Sequence, residues 1–368
     1  MRILIVIDYL GSGGAQIQKA RLAKGLYDFG YEVDVFTYYS KERDNLFVSE
    51  MKSYGINIFA SIRQQKGFSL DTIKRLRKII LLNNYDGVIS SMHTPSIYSA
   101  VAMIGLNKTK LIVCEESSSL APVPIIRRTL FYISCLMSDS VVTNSFNETR
   151  LLGRWPGLSN KINTIWNGFE IPSHKKNQNI VKNKALKLLV VARVAYPKNG
   201  VNLLRALLLF YERNGWAPQL DWAGRRDNDK KSIEMQSQMN QFLLDNPQIA
   251  SKWTWLGEVK GVDKLYRESD ALILVSLYEG VANSVSEAMI EECFVITSNV
   301  CDNTIVIGNE ERGLLCDQLS PESICNAIER LNDMSFEKKI NMIKNARDYV
   351  EINFNLNKLT KAFVSLLS

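Results

Sequence analysis

The chain has 368 residues, 46% hydrophobic and 23% charged, ordinary for a globular protein and long enough to suggest two domains. No apolar run approaches the roughly 20 residues that span a bilayer. Six scattered cysteines without a C-x-x-C pair, and only two histidines, argue against a disulfide framework, a zinc site or a multi-histidine metal site, and fit a reducing cytoplasm.

The net charge of +7 is unevenly placed: residues 1–170 carry 20 Lys/Arg against 14 Asp/Glu, the remainder 25 against 24. Either this is a plain solvated surface, or the first half rests on something anionic, a membrane face or a nucleic acid.

In chain order, MRILIVID reaches Asp8 too soon for a signal peptide and reads as a buried first strand. GSGGAQ follows, with Gly11, Gly13 and Gly14. Gln16 stands where a dinucleotide fingerprint needs its third glycine, and VDVFTYY ends without an acid, so NAD is disfavoured. The loop is either a plain tight turn or a place where a ligand approaches the backbone. AQIQKARLAKGLYDFG has helical spacing and stops at Gly30. VPIIRRTLFYISCLM, residues 123–137, sets Arg127 and Arg128 among apolar residues and reads either as a membrane-facing helix or, slightly better, as a core helix, whereas DTIKRLRKIILL, residues 71–82, is the better candidate for a basic amphipathic helix facing a membrane. GVISS, KLIVC and SVVTNS complete the strand-like runs of this half.

Residues 171–185, IPSHKKNQNIVKNKA, are polar, lysine-rich and aperiodic, and read as a linker. Strand-like LKLLVVA, LDWAG, ALILVS, FVITS and GLLC then repeat the alternation with helix-like stretches. The expected fold is α/β: two doubly wound, Rossmann-like domains facing across a cleft, with motifs at the carboxyl ends of strands.

In the second half, VVARVAYPKNG puts Arg193 at a strand end and Lys198 five residues later, a fork and a point charge suited to a diphosphate. Asp227-Asn228-Asp229 has the form of a metal-holding pair, but its polar surroundings favour a solvated loop or helix start. SLYEGVANSVSEAM, residues 276–289, sets Glu279 and Glu287 around a turn into a helix. Backbone N–H groups at 281–284 would bind phosphate there, and an acid on each side could accept from hydroxyls, as a nucleotide sugar requires. Ser284-x-x-Glu287 also has the form of a capping box, which needs no ligand.

These motifs resemble the retaining nucleotide-sugar glycosyltransferases of the fourth glycosyltransferase family, with the GT-B fold, over nearly the whole chain. GGAQ resembles the family's glycine-rich loop, WNGFE (166–170) its interdomain turn, and SLYEGVANSVSEAM its E-x7-E motif. ARDYVEINFNLNKLTKAF resembles the tail helix that crosses back to the first domain. The resemblance implies an N-terminal acceptor domain over 1–172 plus 352–368, and a donor domain over 173–351. Catalytic roles fall to Glu279, Arg193 and Lys198. Glu287, Gly280, Val281, Ala282, Asn283, Ser284, Gly13 and Gly14 bind the donor, and Glu115 and His93 lie on the acceptor or sugar side. Three positions depart from the family. Glu292 and Phe294 replace a usual Gly and Pro, and Glu116 stands where a subgroup has Arg.

The expected activity is metal-independent transfer of a hexosyl or N-acetylhexosaminyl group from a UDP- or GDP-sugar to a lipid-linked surface glycan. It needs no cofactor and no nucleic acid, and takes place in the cytoplasm at the anionic inner membrane surface. The alternatives are an inactive GT-B subunit of a polysaccharide synthase, or a two-lobed solute-binding protein.

Overall fold

The computed structural model describes residues 1–11, 13–39, 47–61, 68–116, 123–173 and 186–368. Ser12, and most of the linker expected over 171–185, lie outside the described residues. The first half alternates strands and helices: β1 (Arg2–Ile7), α1 (Gly14–Asp28), β2 (Glu32–Thr37), α2 (Val48–Ser53), β3 (Asn57–Ala60), α3 (Leu70–Asn83), β4 (Gly87–Ser91) and α4 (His93–Ala102). It continues with β5 (Lys110–Glu115), α5 (Ile125–Met137), β6 (Ser140–Thr143), α6 (Phe146–Leu152) and β7 (Ile162–Thr164).

These strands form one parallel sheet in the order β3-β2-β1-β4-β5-β6-β7. In the centre, Ile5 sits opposite Val35 on one side and Ile89 on the other. A strand paired on both edges and covered on both faces must be apolar throughout. Ile3, Ile5 and Ile7 of β1 enter the core beside α1, while Leu4 and Val6 enter the core beneath α3, α4 and α5.

The second half comprises β8 (Lys187–Val191), a 3-10 turn over Tyr196–Lys198, α7 (Gly200–Asn214), β9 (Gln219–Ala223), α8 (Lys230–Asp245), α9 (Pro247–Ala250), β10 (Trp253–Gly257), α10 (Asp263–Glu268) and β11 (Ala271–Leu274). Next come α11 (Asn283–Ile290), β12 (Phe294–Ser298), α12 (Asn303–Ile307), β13 (Leu314–Cys316), α13 (Pro321–Asp333) and α14 (Phe336–Asn353). The parallel order is β10-β9-β8-β11-β12-β13. Its core gathers around the fully buried Trp222, tilted against Trp253 and Trp255.

The tail is two helices rather than one. Phe354 and Asn355 interrupt it, and Asn355 caps α15 (Leu356–Leu367) by accepting from Lys358 N at 2.8 Å. Two compact units result: Met1–Glu170 with Phe354–Ser368, and Ile171–Asn353. Within the first unit, Leu356, Leu359, Phe363 and Leu367 of α15 pack into the core beside α1. Phe169 N donates to Phe354 O at 2.7 Å, and Leu356 N donates to Phe169 O at 2.9 Å. A Cβ on Gly168 would lie 2.8 Å from Leu359 and 3.2 Å from the Leu356 Cα, so the NG turn needs glycine for α15 to come this close.

Both sheets reverse winding direction once, between β1 and β4 in the first unit and between β8 and β11 in the second. Loops leaving the carboxyl ends of these neighbours diverge and leave a crevice for ligand.

Candidate active site

In the second unit the sequence-predicted residues converge at the switch between β8 and β11. Arg193 leaves β8 and pairs with Asp227, its side chain 53% exposed. Lys198, at the end of the 3-10 turn, pairs with Glu279, and Ser276 Oγ donates to the same Glu279 Oε1 at 2.7 Å. Backbone links hold the two loops together. Leu277 N donates to Pro197 O at 2.8 Å, and Asn199 Nδ2 donates to Val275 O at 3.1 Å and Gln318 O at 2.7 Å. Asn199 does this from a left-handed backbone, φ 57°, which asparagine tolerates better than most residues.

Gly280, Val281 and Ala282 lead into α11, whose first turn is Asn283 and Ser284. Ala282 is the N-cap, and no side chain caps the helix. The Ser284–Glu287 capping box is therefore absent. Ser284 is one residue inside the helix, and a capping box requires the serine at the extended N-cap position. Glu287 instead accepts from the buried Tyr266 hydroxyl at 3.2 Å. Burial, followed by the charge of Glu287, raises the Tyr266 phenol well above its ordinary value, so it remains a donor. At the far end of α11, the Arg347 guanidinium donates to Ile290 O, a cation on the helix's carbonyl terminus.

The Asp-x-Asp segment is employed locally: Asp227 pairs with Arg193, and Asp229 caps α8 by accepting from Ser232 N at 3.1 Å. Among the described residues, no group of three His, Cys, Asp or Glu is placed to hold a metal ion.

In the first unit, Gly13 is the N-cap of α1, which starts at Gly14. A Cβ on Gly13 would lie 2.0 Å from Gln16 Oε1. The glutamine that breaks the dinucleotide fingerprint folds over Gly13 and donates from Nε2 to Asp8 Oδ1 at 2.9 Å. Burial raises the Asp8 carboxyl, with the Gln16 hydrogen bond opposing it. His93 begins α4 after Met92, whose φ of 76° is unusual for a non-glycine residue. Its Nε2 lies 2.5 Å from Glu115 Oε2, and its ring stacks on Phe131 at 4.2 Å. His93 and Glu115 are thus one dyad at the ends of β4 and β5. Glu116 turns inward to the buried Lys19.

Sequence reasoning missed Tyr266, Ser276 and Asn199. Ser276 stood inside the quoted motif, three residues before Glu279. Tyr266 comes from 21 residues upstream of Glu287 and carries no local chemical signal.

Two family models match the chain: one described as Glycosyltransferase Family 4 over residues 12–171, and one described as Glycosyl transferases group 1 over residues 172–349. A curated relative from Campylobacter jejuni is 25% identical, over 100% of this chain and 98% of its own length. It is a GalNAc-alpha-(1->4)-GalNAc-alpha-(1->3)-diNAcBac-PP-undecaprenol alpha-1,4-N-acetyl-D-galactosaminyltransferase. The Staphylococcus aureus capsular polysaccharide biosynthesis glycosyltransferase CapH is 21% identical, over 99% of each chain. Among solved structures, Anabaena Alr3699/HepE in complex with UDP-glucose superposes with a TM-score of 0.84 at 16% identity, covering 100% of this chain and 99% of that one. Two Rossmann-like units, family models meeting at their junction and full-length relatives that transfer sugars together place the chain among the glycosyltransferases of GT-B fold.

Proposed function

We propose that this glycosyltransferase moves a hexosyl or N-acetylhexosaminyl group from a UDP- or GDP-sugar to a hydroxyl of a lipid-linked surface glycan, with retention and without a metal, at the inner membrane face. The observation that carries this reading is the Lys198–Glu279 pair at the β8–β11 switch, beside Arg193 and the N-terminus of α11. The acceptor class is supported by the diphosphoundecaprenol acceptor in the C. jejuni relative's name, and UDP by the Anabaena complex.

The barrier is departure of a diphosphate from an oxocarbenium-like carbon. Lys198, Arg193 and the α11 N–H groups offset the charge growing on the leaving oxygens, which counts most in a water-poor site. Glu279, released from Lys198 as the diphosphate takes that cation, accepts from sugar hydroxyls and opposes positive charge on the ring. Glu287, aimed by Tyr266, accepts from the ribose hydroxyls. With Asp227 and Asp229 already engaged, cationic side chains take the place of a metal at the diphosphate.

The test is calorimetric titration of UDP and GDP into wild type, Glu279→Gln and Glu287→Gln, beside donor hydrolysis with and without EDTA. Wild type binds one nucleotide and slowly hydrolyses its sugar in EDTA. Glu279→Gln binds but does not hydrolyse. Glu287→Gln binds about 10- to 100-fold more weakly, the 1.5–3 kcal/mol of a charged hydrogen bond. Nucleotide binding without hydrolysis of any donor would favour the inactive-subunit reading. Activity lost to EDTA and restored by Mn²⁺ would overturn metal independence.

A further inference from the structure

The helix read from sequence as membrane-facing and the helix read as core have exchanged roles. On α3, Ile73, Leu76, Ile79 and Ile80 are buried, and Lys74, Arg75 and Lys78 are exposed along its middle. On α5 the pattern is inverted. Its sheet side is Phe131, Ser134 and Cys135, while Ile125 and Ile126 are 83% and 76% exposed, followed by the exposed Leu130, Ile133 and Met137. Ile126, Leu130, Ile133 and Met137 recur at helical spacing, so they form one outward stripe.

We propose that this stripe of α5 is the surface by which the protein docks on an anionic bilayer, lying in the headgroup region parallel to the membrane. The inference deepens the inner-membrane reading above and rests on it for the anionic occupant. Three observations favour a bilayer. First, α5 has 13 residues, about 20 Å, too short to cross a hydrocarbon core of about 30 Å but suited to lying along its edge. Second, the exposed Arg127 and Arg128 follow Ile125 and Ile126 on α5 itself, and α4 packs against both α3 and α5, so the basic face of α3 lies one helix away from the stripe in the same helical layer. The three helices carry six Lys/Arg (Lys74, Arg75, Arg77, Lys78, Arg127, Arg128) and one acid, Asp71. A stripe of aliphatic side chains bordered by cations matches anionic headgroups over acyl chains.

Third, the buried side of the same helix touches the acceptor-side dyad. Phe131 stacks on His93, and Arg127 donates to Thr94 Oγ1 at 2.7 Å. A helix seated in the headgroups would thus hold His93 and Glu115 about one helix diameter, ~10 Å, from the lipid surface, where a sugar on a lipid carrier would be presented.

The test is flotation of the full chain with phosphatidylglycerol/phosphatidylethanolamine vesicles and with neutral phosphatidylcholine vesicles, at low and physiological salt. Wild type floats with the anionic vesicles. Ile126→Ser with Ile133→Ser lowers partitioning by at least about tenfold without lowering the melting temperature. Lys74→Gln with Lys78→Gln weakens it mainly at low salt. Wild type that never floats overturns both this surface and the membrane reading. Wild type and the double-serine variant floating equally overturns the surface alone. A dimer seen by light scattering without lipid, and dissolved by the same serines, identifies the stripe as a self-association face and overturns the bilayer proposal.

Discussion

Each unit sets a lysine against a glutamate near the switch point of its sheet, in opposite surroundings. In the second unit, Lys198 and Glu279 keep 15% and 14% of their side-chain surface, on loops after β8 and β11. In the first, Lys19 and Glu116 keep 5% and 6%. They line a small cavity with Gln18, Asn144 and Asn167, closed by Leu359 and Phe363 of α15. The Phe363 ring lies 4.9 Å from the Lys19 ammonium. A ligand anion can compete for Lys198, because water and solutes reach it. Lys19 keeps a third of that exposed surface and lies beneath Leu359 and Phe363, so it is far less accessible. On the function proposed above, the same residue types serve as an exchangeable contact in one unit and a fixed joint in the other.

The largest test of this contrast is Lys19→Ala. Removing one partner of a buried pair leaves an uncompensated charge and costs about 3–5 kcal/mol of stability, measured by denaturant unfolding. Nucleotide affinity in the folded fraction should not move. Lys19→Met with Glu116→Leu should recover most of the loss. If Lys19→Ala instead folded normally and lost turnover, the buried pair would be functional and the contrast would collapse.

Next comes Lys198→Ala. Donor turnover should fall by about 10²–10³, or roughly 2.7–4 kcal/mol of lost transition-state stabilisation, with the melting temperature little changed. A rise in KM alone, with kcat intact, would assign Lys198 to uniform binding.

A smaller test sits five residues past Glu287. Glu292, where the family usually has glycine, adopts φ 53° and is largely buried. Left-handed backbone costs a residue with a Cβ about 1 kcal/mol, so Glu292→Gly should raise stability by about that amount, offset in part by chain entropy. Turnover should not change, which would separate scaffold from chemistry within the second unit.

The smallest effect is at Asp8. Burial raises its folded-state value above the ordinary 3.8, so folding favours the protonated form. That stabilisation is complete below the unfolded value and is lost as pH rises through the folded one. Asp8→Asn, which can still accept from Gln16, should melt slightly later than wild type at neutral pH and show no advantage in acid. An advantage that persists in acid would point to another cause.

What the sequence made legible followed burial. Strands inside the sheets, covered on both faces, announced themselves as apolar runs: ILIVI, KLIVC and ALILVS became β1, β5 and β11. NIFA, INT and WTWLG were not read as strands and became β3, β7 and β10, each short and at a sheet edge, where only one side is paired. At the candidate site, Arg193, Lys198 and Glu279 were readable because each lies next to a strand end or a turn, and Glu287 because it falls one turn into the helix that follows. Tyr266 was not, since only the fold brings it to Glu287. Periodicity also identified the apolar side of α5 without saying which way it points. Ser134 and Cys135 cover the sheet there, and the larger aliphatic side chains turn outward.

The return of α15 to the first unit has a consequence for biosynthesis. The unit's first strand is β1, yet four of its core side chains, Leu356, Leu359, Phe363 and Leu367, follow the whole of the second unit in the sequence. A Cβ on Gly87 would meet Leu367 at 2.3 Å, so this leucine seats against β4 in the space that a side chain at position 87 would take. On the ribosome, the second unit has all of its residues first. The first unit waits with an apolar face beside α1 open until α15 has emerged, and this is when the chain is most exposed to aggregation and chaperone capture. Loss of α15 would spare every residue proposed to bind the donor and still leave the unit made first unfinished.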